Sequence, residues 1–162
     1  MPTDTNLWCV DTKELASRLH AALLARDETV ACAESITGGG LSDLLSCTPG
    51  ASATYVGGVV SYATRIKRDL LGVTASRVVS ADCATQLAHG VRTLMRSDWA
   101  VSTTGVAGPT RQDDEPVGTV YVGVAGPRGV DVHRLSLAGD RREIRAQACS
   151  SAMQALIDEL AR

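Results

Sequence analysis

Thr29-Val30-Ala31-Cys32-Ala33-Glu34-Ser35-Ile36-Thr37-Gly38-Gly39-Gly40 is a strand that runs straight into a glycine-rich turn. Thr29 to Ala33 is short and mostly apolar, and charge appears only at Glu34. Leu41, Leu44 and Leu45 then predict a helix, which Thr48-Pro49-Gly50 ends. A strand feeding a helix through a glycine turn is the opening unit of an α/β sheet, in which ligands gather at the carboxyl ends of the strands.

On the amino side, Asp11 and Glu14 have capping-box spacing and predict a helix from Asp11, with Leu15, Leu19, Ala22 and Leu23 on one face. On the carboxyl side, Tyr55 to Tyr62 reads as the second strand. A short helix with Lys67, Leu70 and Leu71 follows and stops at Gly72. Ser80 to Arg96 has the clearest helical stripe, formed by Ala84, Leu87, Ala88, Val91, Leu94 and Met95. Trp99 to Thr104 is the third strand, and Gly105 to Glu115 is a loop. Pro116 to Ala125 reads as the fourth strand and Val130 to Leu137 as the fifth, with Gly126-Pro127-Arg128-Gly129 turning between them. Asp140 and Glu143 open a last helix whose inward positions are Ile144, Ala148, Ala152, Ala155, Leu156 and Leu160.

Helices join the first three strands, so those strands should run parallel. The third-to-fourth and fourth-to-fifth connections carry no helix and should reverse direction. The expected fold is a three-layer α/β/α sandwich over a five-stranded mixed sheet, with the fourth strand antiparallel to the rest. The length of 162 residues, 44% apolar and 21% charged, suits one globular domain over 1–162. Only the first ten residues and the Arg111 to Glu115 loop look disordered by composition.

The formal net charge of −2 gives no electrostatic support for a nucleic-acid partner. The clusters Arg65-Ile66-Lys67-Arg68 and Arg141-Arg142 sit beside acids and read as solvated helix faces. No stretch reaches the ~20 apolar residues of a membrane span. The start of the chain has no signal-peptide pattern, so a cytoplasmic location is expected. The five cysteines, with no metal-ligand spacing, read as reduced thiols, and no metal site is expected.

Three loops fall on the carboxyl edge of the expected sheet. Glu34 to Gly39 places Ser35 where a nucleophile or an anion could be held, although a capped turn or a passive phosphate loop would use the same residues. The Walker A pattern is absent. Ser61-Tyr62-Ala63-Thr64-Arg65-Ile66-Lys67 brings a tyrosine and a lysine to the same edge. Lysine can take a serine proton if burial or a neighbouring cation lowers its pKa from ~10.4. Of 16 basic residues only Lys13 and Lys67 are lysines, and arginine cannot act as a base. An exposed helix lysine and a packed strand-end tyrosine remain the plainer readings of those two residues taken singly. Ser102-Thr103-Thr104-Gly105-Val106-Ala107-Gly108-Pro109 supplies hydroxyls and ligand space at the third strand end.

Taken together, Ala33-Glu34-Ser35-Ile36-Thr37-Gly38-Gly39, Tyr62 with Lys67 and Leu71-Gly72-Val73, Thr104 to Pro109, and Pro116-Val117-Gly118-Thr119-Val120-Tyr121 resemble the CinA C-terminal domain family from about Leu15 to Leu160. That family includes nicotinamide-nucleotide amidohydrolases. The resemblance implies hydrolysis of nicotinamide mononucleotide to nicotinic acid mononucleotide and ammonia in pyridine-nucleotide salvage, without a cofactor, by a protein that forms homodimers. It matches Ser35 to the nucleophile, and Tyr62 and Lys67 to the groups that assist it. Glu34, Thr37, Gly38 and Gly39 match the loop around the nucleophile; Thr104, Gly105 and Gly108 match the substrate loop. Two departures stand out. Ala33 and Ile36 replace cysteines common in the family, which argues against cysteine chemistry, and Thr64 replaces an asparagine, which bears on a secondary contact.

Overall fold

Alternation along the strands sorts the side chains into two unlike faces. Val30 and Cys32, Trp99 and Val101, and Val120, Val122 and Val124 share one core cluster. Ala31, Ala33, Ala100 and Ala125 belong to the other. The computed structural model describes residues 10–162, with side chains from Thr12 onward. The expected disorder of the first ten residues therefore falls almost wholly outside the described residues.

The elements are α1 (Val10–Leu24), β1 (Val30–Glu34), α2 (Gly40–Ser46), β2 (Tyr55–Val60), α3 (Thr64–Leu71), α4 (Ala81–Met95), β3 (Trp99–Gly105), β4 (Thr119–Gly126), β5 (Gly129–Ser136) and α5 (Arg141–Leu160). The sheet order is β2-β1-β3-β4-β5. β1 pairs parallel with β2 and β3, whereas β4 pairs antiparallel with β3 and β5. β4 thus opposes the other strands, as the helix-free connections predict.

α1, α2 and α5 pack on the face of larger residues, where Leu19, Leu23, Leu41, Leu44, Met153 and Leu156 are buried. α4 packs on the alanine face through Cys83, Leu87, Ala88 and Val91, joined by Leu71 at the end of α3. The small residues let α4 approach closely: a Cβ on Gly123 would stand 2.6 Å from the Ala84 carbonyl oxygen. Ser102 Oγ donates to that same carbonyl at 2.6 Å.

Several boundaries differ from the expectation. α1 already includes Val10, so Asp11 is helical and does not precede the helix; its side chain lies outside the described residues. In α4, Leu94 departs from the expected inward face and is 45% exposed, whereas Met95 packs inward as expected. β4 begins at Thr119 and not at Pro116. Gly118, at φ +93°, donates to the Val106 carbonyl, and Val106 donates to that of Thr119. Residues 116–118 therefore tie the end of β3 to the start of β4 before the ladder proper begins. At the other end of the chain, Asp140 and Glu143 form the expected capping box of α5.

Candidate active site

β1, β2, β3 and β5 end, and β4 begins, on one edge of the sheet. Lys67, in the first turns of α3, is 2% exposed although it is a lysine. Its burial follows from the strand ends. Ser61 donates to the Glu34 carbonyl through both its N–H and its Oγ, which fixes the end of β2 against β1. The Ser61 and Tyr62 carbonyls then face Lys67 Nζ at 2.5 and 3.1 Å, and Ser35 Oγ lies 2.9 Å from the same nitrogen. Serine and lysine, 32 residues apart in the chain, meet directly.

The surroundings disfavour the ammonium form. Burial lowers the Lys67 pKa from 10.5, opposed only by Cys83. Burial also pushes the Cys83 thiol up to about 11, so near neutrality that neighbour is an uncharged thiol. Lys67 forms no ion pair among the described residues. A neutral amine has two N–H groups and one lone pair. The two carbonyls can take the N–H groups, which leaves the lone pair for the Ser35 hydroxyl.

Ser35 and Lys67 open onto a cavity of about 450 Å³. Tyr62, Thr104, Gly105 and Gly108 also line it. Thr104 spends its hydroxyl proton on the Val78 carbonyl. Tyr62 is 60% exposed, and its hydroxyl accepts from Arg141 Nη2 at 3.0 Å. It does not stand between Lys67 and Ser35, so a proton relay through Tyr62 is not the observed arrangement.

Glu34, Thr37, Gly38 and Gly39 do not line the cavity. Glu34 is fully buried, and its carboxylate serves the start of α2. It accepts from the N–H groups of Gly39, Leu41 and Ser42 and from the hydroxyls of Thr37 and Ser42. Thr37 Oγ1 also lies 2.8 Å from Thr103 Oγ1. Gly38 and Gly39 supply positive φ, at +57° and +100°. The N–H of Gly38 donates to the Ser35 carbonyl. Neither the helix start nor Gly38 is therefore free for an oxyanion. The N–H groups of Ile36 and Thr37 have no partner among the described residues.

Arg141, expected on a solvated face, instead lines the cavity. It donates to Tyr62 Oη and, at 2.6 Å, to the Gly108 carbonyl. Arg111 and Gln112 line the same cavity from the loop expected to be disordered. A usable signal was present in the sequence, since the capping box starts α5 at Arg141 and the preceding strand ends on this edge. No aspartate or glutamate is among the lining residues. Among the described residues no group of three His, Cys, Asp or Glu is placed to hold a metal ion. No helix there is long and apolar enough to cross a membrane. The four described cysteines are free, and Cys32, Cys83 and Cys149 are buried.

Fold and site define an α/β/α sandwich domain with a serine and a buried lysine in contact at the carboxyl edge of a mixed sheet. The model of the CinA C-terminal domain matches residues 12–160, and the chain belongs to that family. A CinA-like protein of Frankia casuarinae is 47% identical over 136 residues, covering 81% of this chain and 31% of the relative. One of Cyanothece sp. is 48% identical over 135 residues, covering 78% and 32%. The chain thus spans about a third of the length of these curated relatives. Among solved structures, a competence-damaged protein (CinA) superfamily protein from Klebsiella pneumoniae superposes with a TM-score of 0.89 at 35% identity, covering 93% of this chain and 98% of that one. The competence/damage inducible protein CihA from Agrobacterium tumefaciens gives 0.88 at 34% identity, covering 94% and 96%.

Proposed function

We propose that this domain is an amidohydrolase that cleaves the carboxamide of nicotinamide mononucleotide, with Ser35 as nucleophile and Lys67 as its base. The observation that carries the reading is the 2.9 Å contact between Lys67 Nζ and Ser35 Oγ at a lysine with no anionic partner among the described residues. Neutral Lys67 takes the Ser35 proton while Oγ bonds to the carboxamide carbon. The ammonium so formed returns the proton to the leaving nitrogen, and ammonia departs. Water, deprotonated by the same amine, then splits the acyl-enzyme to the carboxylic acid. The N–H of Ile36, a residue that lines the cavity, has no partner among the described residues and is a donor available to the oxyanion.

The lining also supports an anionic substrate. Arg111 and Arg141 line the cavity, and no carboxylate is among the described residues that line it. A phosphate suits that charge, and a cavity of about 450 Å³ accommodates a mononucleotide.

The test is ammonia release from a panel comprising the mononucleotide, its riboside, free nicotinamide and other small amides. Ammonia from the mononucleotide is expected, with none from a folded Ser35→Ala variant. Substantial turnover by that variant would remove Ser35 as nucleophile. Calorimetric binding of the mononucleotide without ammonia would make the domain a nucleotide-binding module, and ammonia from other amides alone would move the substrate.

A further inference from the structure

Arg145, in the second turn of α5, reaches across to the back of the nucleophile loop. Its Nε donates to the Ile36 carbonyl at 3.1 Å and its Nη2 to that of Thr37 at 2.9 Å. Gly38 makes room for it, since a Cβ there would stand 3.0 Å from Nη2. Arg145 pairs with no carboxylate among the described residues, so its charge stays beside the loop.

Ser35 to Gly38 is a tight turn closed by the Gly38 N–H on the Ser35 carbonyl. The middle peptide of this turn, Ile36–Thr37, is not in the type II orientation, since Thr37 lacks the positive φ that orientation needs, and Arg145 holds its carbonyl from outside. In a trans peptide, C=O and N–H point in opposite directions. With the Ile36 carbonyl held by Arg145, the Thr37 N–H is turned away from the guanidinium. The closed turn likewise directs the Ile36 N–H away from the bonded Ser35 carbonyl. Neither N–H has a partner among the described residues, and of the two residues Ile36 is the one that lines the cavity. A buried carboxylate, Glu34, sits on the same loop and would oppose an oxyanion; the guanidinium offsets it.

We infer that Arg145 is a positioning residue: gripping the Ile36 and Thr37 carbonyls, it holds the Ser35–Gly38 turn in the orientation that presents the Ile36 N–H to the oxyanion. The inference rests on the Ser35 nucleophile proposed above, but not on the identity of the substrate.

A fluorophosphonate probe tests it without knowledge of the substrate. Ser35 Oγ bonds to phosphorus, fluoride leaves, the serine proton passes to Lys67, and the phosphoryl oxygen takes the oxyanion position. Arg145→Met should label about 100-fold more slowly than the parent, the size of effect seen when an oxyanion donor is lost. Added guanidinium ion should restore at least about a tenth of the lost rate, and Arg145→Lys should fall between the two, because it keeps charge without the two-pronged grip. With the mononucleotide, kcat should fall with KM within about threefold. Labelling of a folded Arg145→Met variant at the parental rate overturns the inference. So does a loss that neither guanidinium nor lysine relieves, since that is mere structural damage. Failure of the substrate assignment looks different: labelling proceeds but no ammonia appears. If the parent does not label at Ser35, the nucleophile assignment fails, and the role of Arg145 fails with it.

Discussion

Glu34 and Ser35 are neighbours in the chain and serve opposite sides of the sheet. The Glu34 carboxylate turns toward α2 and binds the N–H groups of Gly39, Leu41 and Ser42. Ser35 Oγ turns toward α3 and meets Lys67. Strand alternation separates the two side chains just where β1 ends. One acid thereby holds the turn that presents the next residue, without touching the cavity itself.

Glu34→Ala should accordingly be a stability variant first. It strips five N–H and O–H donors, and the Cys32 thiol, of their acceptor at a fully buried site. A loss of about 3 kcal/mol or more is expected, because buried donors left unsatisfied cost ~1–3 kcal/mol each and not all can relax. Urea unfolding followed by far-UV circular dichroism checks this. A midpoint close to that of the parent would mean the carboxylate does not anchor α2.

Lys67 gives two pH signatures with one cause. Burial lowers its pKa from 10.5, so the catalytically useful neutral amine accumulates below the pH where a free lysine would deprotonate. The rate should rise with pH on a limb whose midpoint lies below 10.5, and Lys67→Arg should be nearly inactive at every pH. The stability sign follows from proton counting. Between the lowered folded pKa and 10.5, the unfolded chain binds more protons than the folded one, so unfolding free energy rises with pH. Relative to Lys67→Met, the parent should gain stability as pH climbs through that window. Parallel stability curves for the two proteins would argue that the amine titrates normally.

Gly123 sets how closely α4 approaches the sheet, and α4 carries Cys83 beneath Lys67. Gly123→Ala would place a methyl 2.6 Å from both the Ala84 carbonyl oxygen and Ser102 Oγ. Helix or strand must shift, at a cost of about 1–3 kcal/mol for overpacking. Thermal unfolding measures the loss, and an unchanged midpoint would show that the layer can slide freely.

The strand order and the reversed fourth strand were legible because apolar runs, glycine turns and the presence or absence of a helix between strands are local signals. The meeting of Ser35 with Lys67 was legible for a similar reason: each lies just past the end of a parallel strand. What escaped was direction. Glu34, Ser35 and Thr37 lie in one short stretch, yet the sequence does not reveal which side of the loop each side chain takes. A buried acid plugging α2 reads the same as an acid facing a ligand. Arg141 and Arg145 escaped because an arginine pattern on a helix looks solvated until the neighbouring layer is placed. The Pro116 boundary failed because Gly118 bends the segment before any ladder forms.

Arg141 makes the charge of the cavity testable apart from its chemistry. It contacts Tyr62 and Gly108 but neither Ser35 nor Lys67, so its removal should spare the proton transfer. Arg141→Gln should raise KM for the mononucleotide by about tenfold or more, since hydrogen bonds to charged groups contribute ~1.5–3 kcal/mol, while kcat changes little. The riboside, which lacks the phosphate, should lose much less. The parent's preference for the phosphorylated substrate should also weaken as salt is added, and that dependence should flatten in the variant. Equal losses on both substrates would assign Arg141 to holding the Gly108 loop in place. A selective loss on the phosphorylated one would assign it to the anion, because only that contact is missing from the riboside complex.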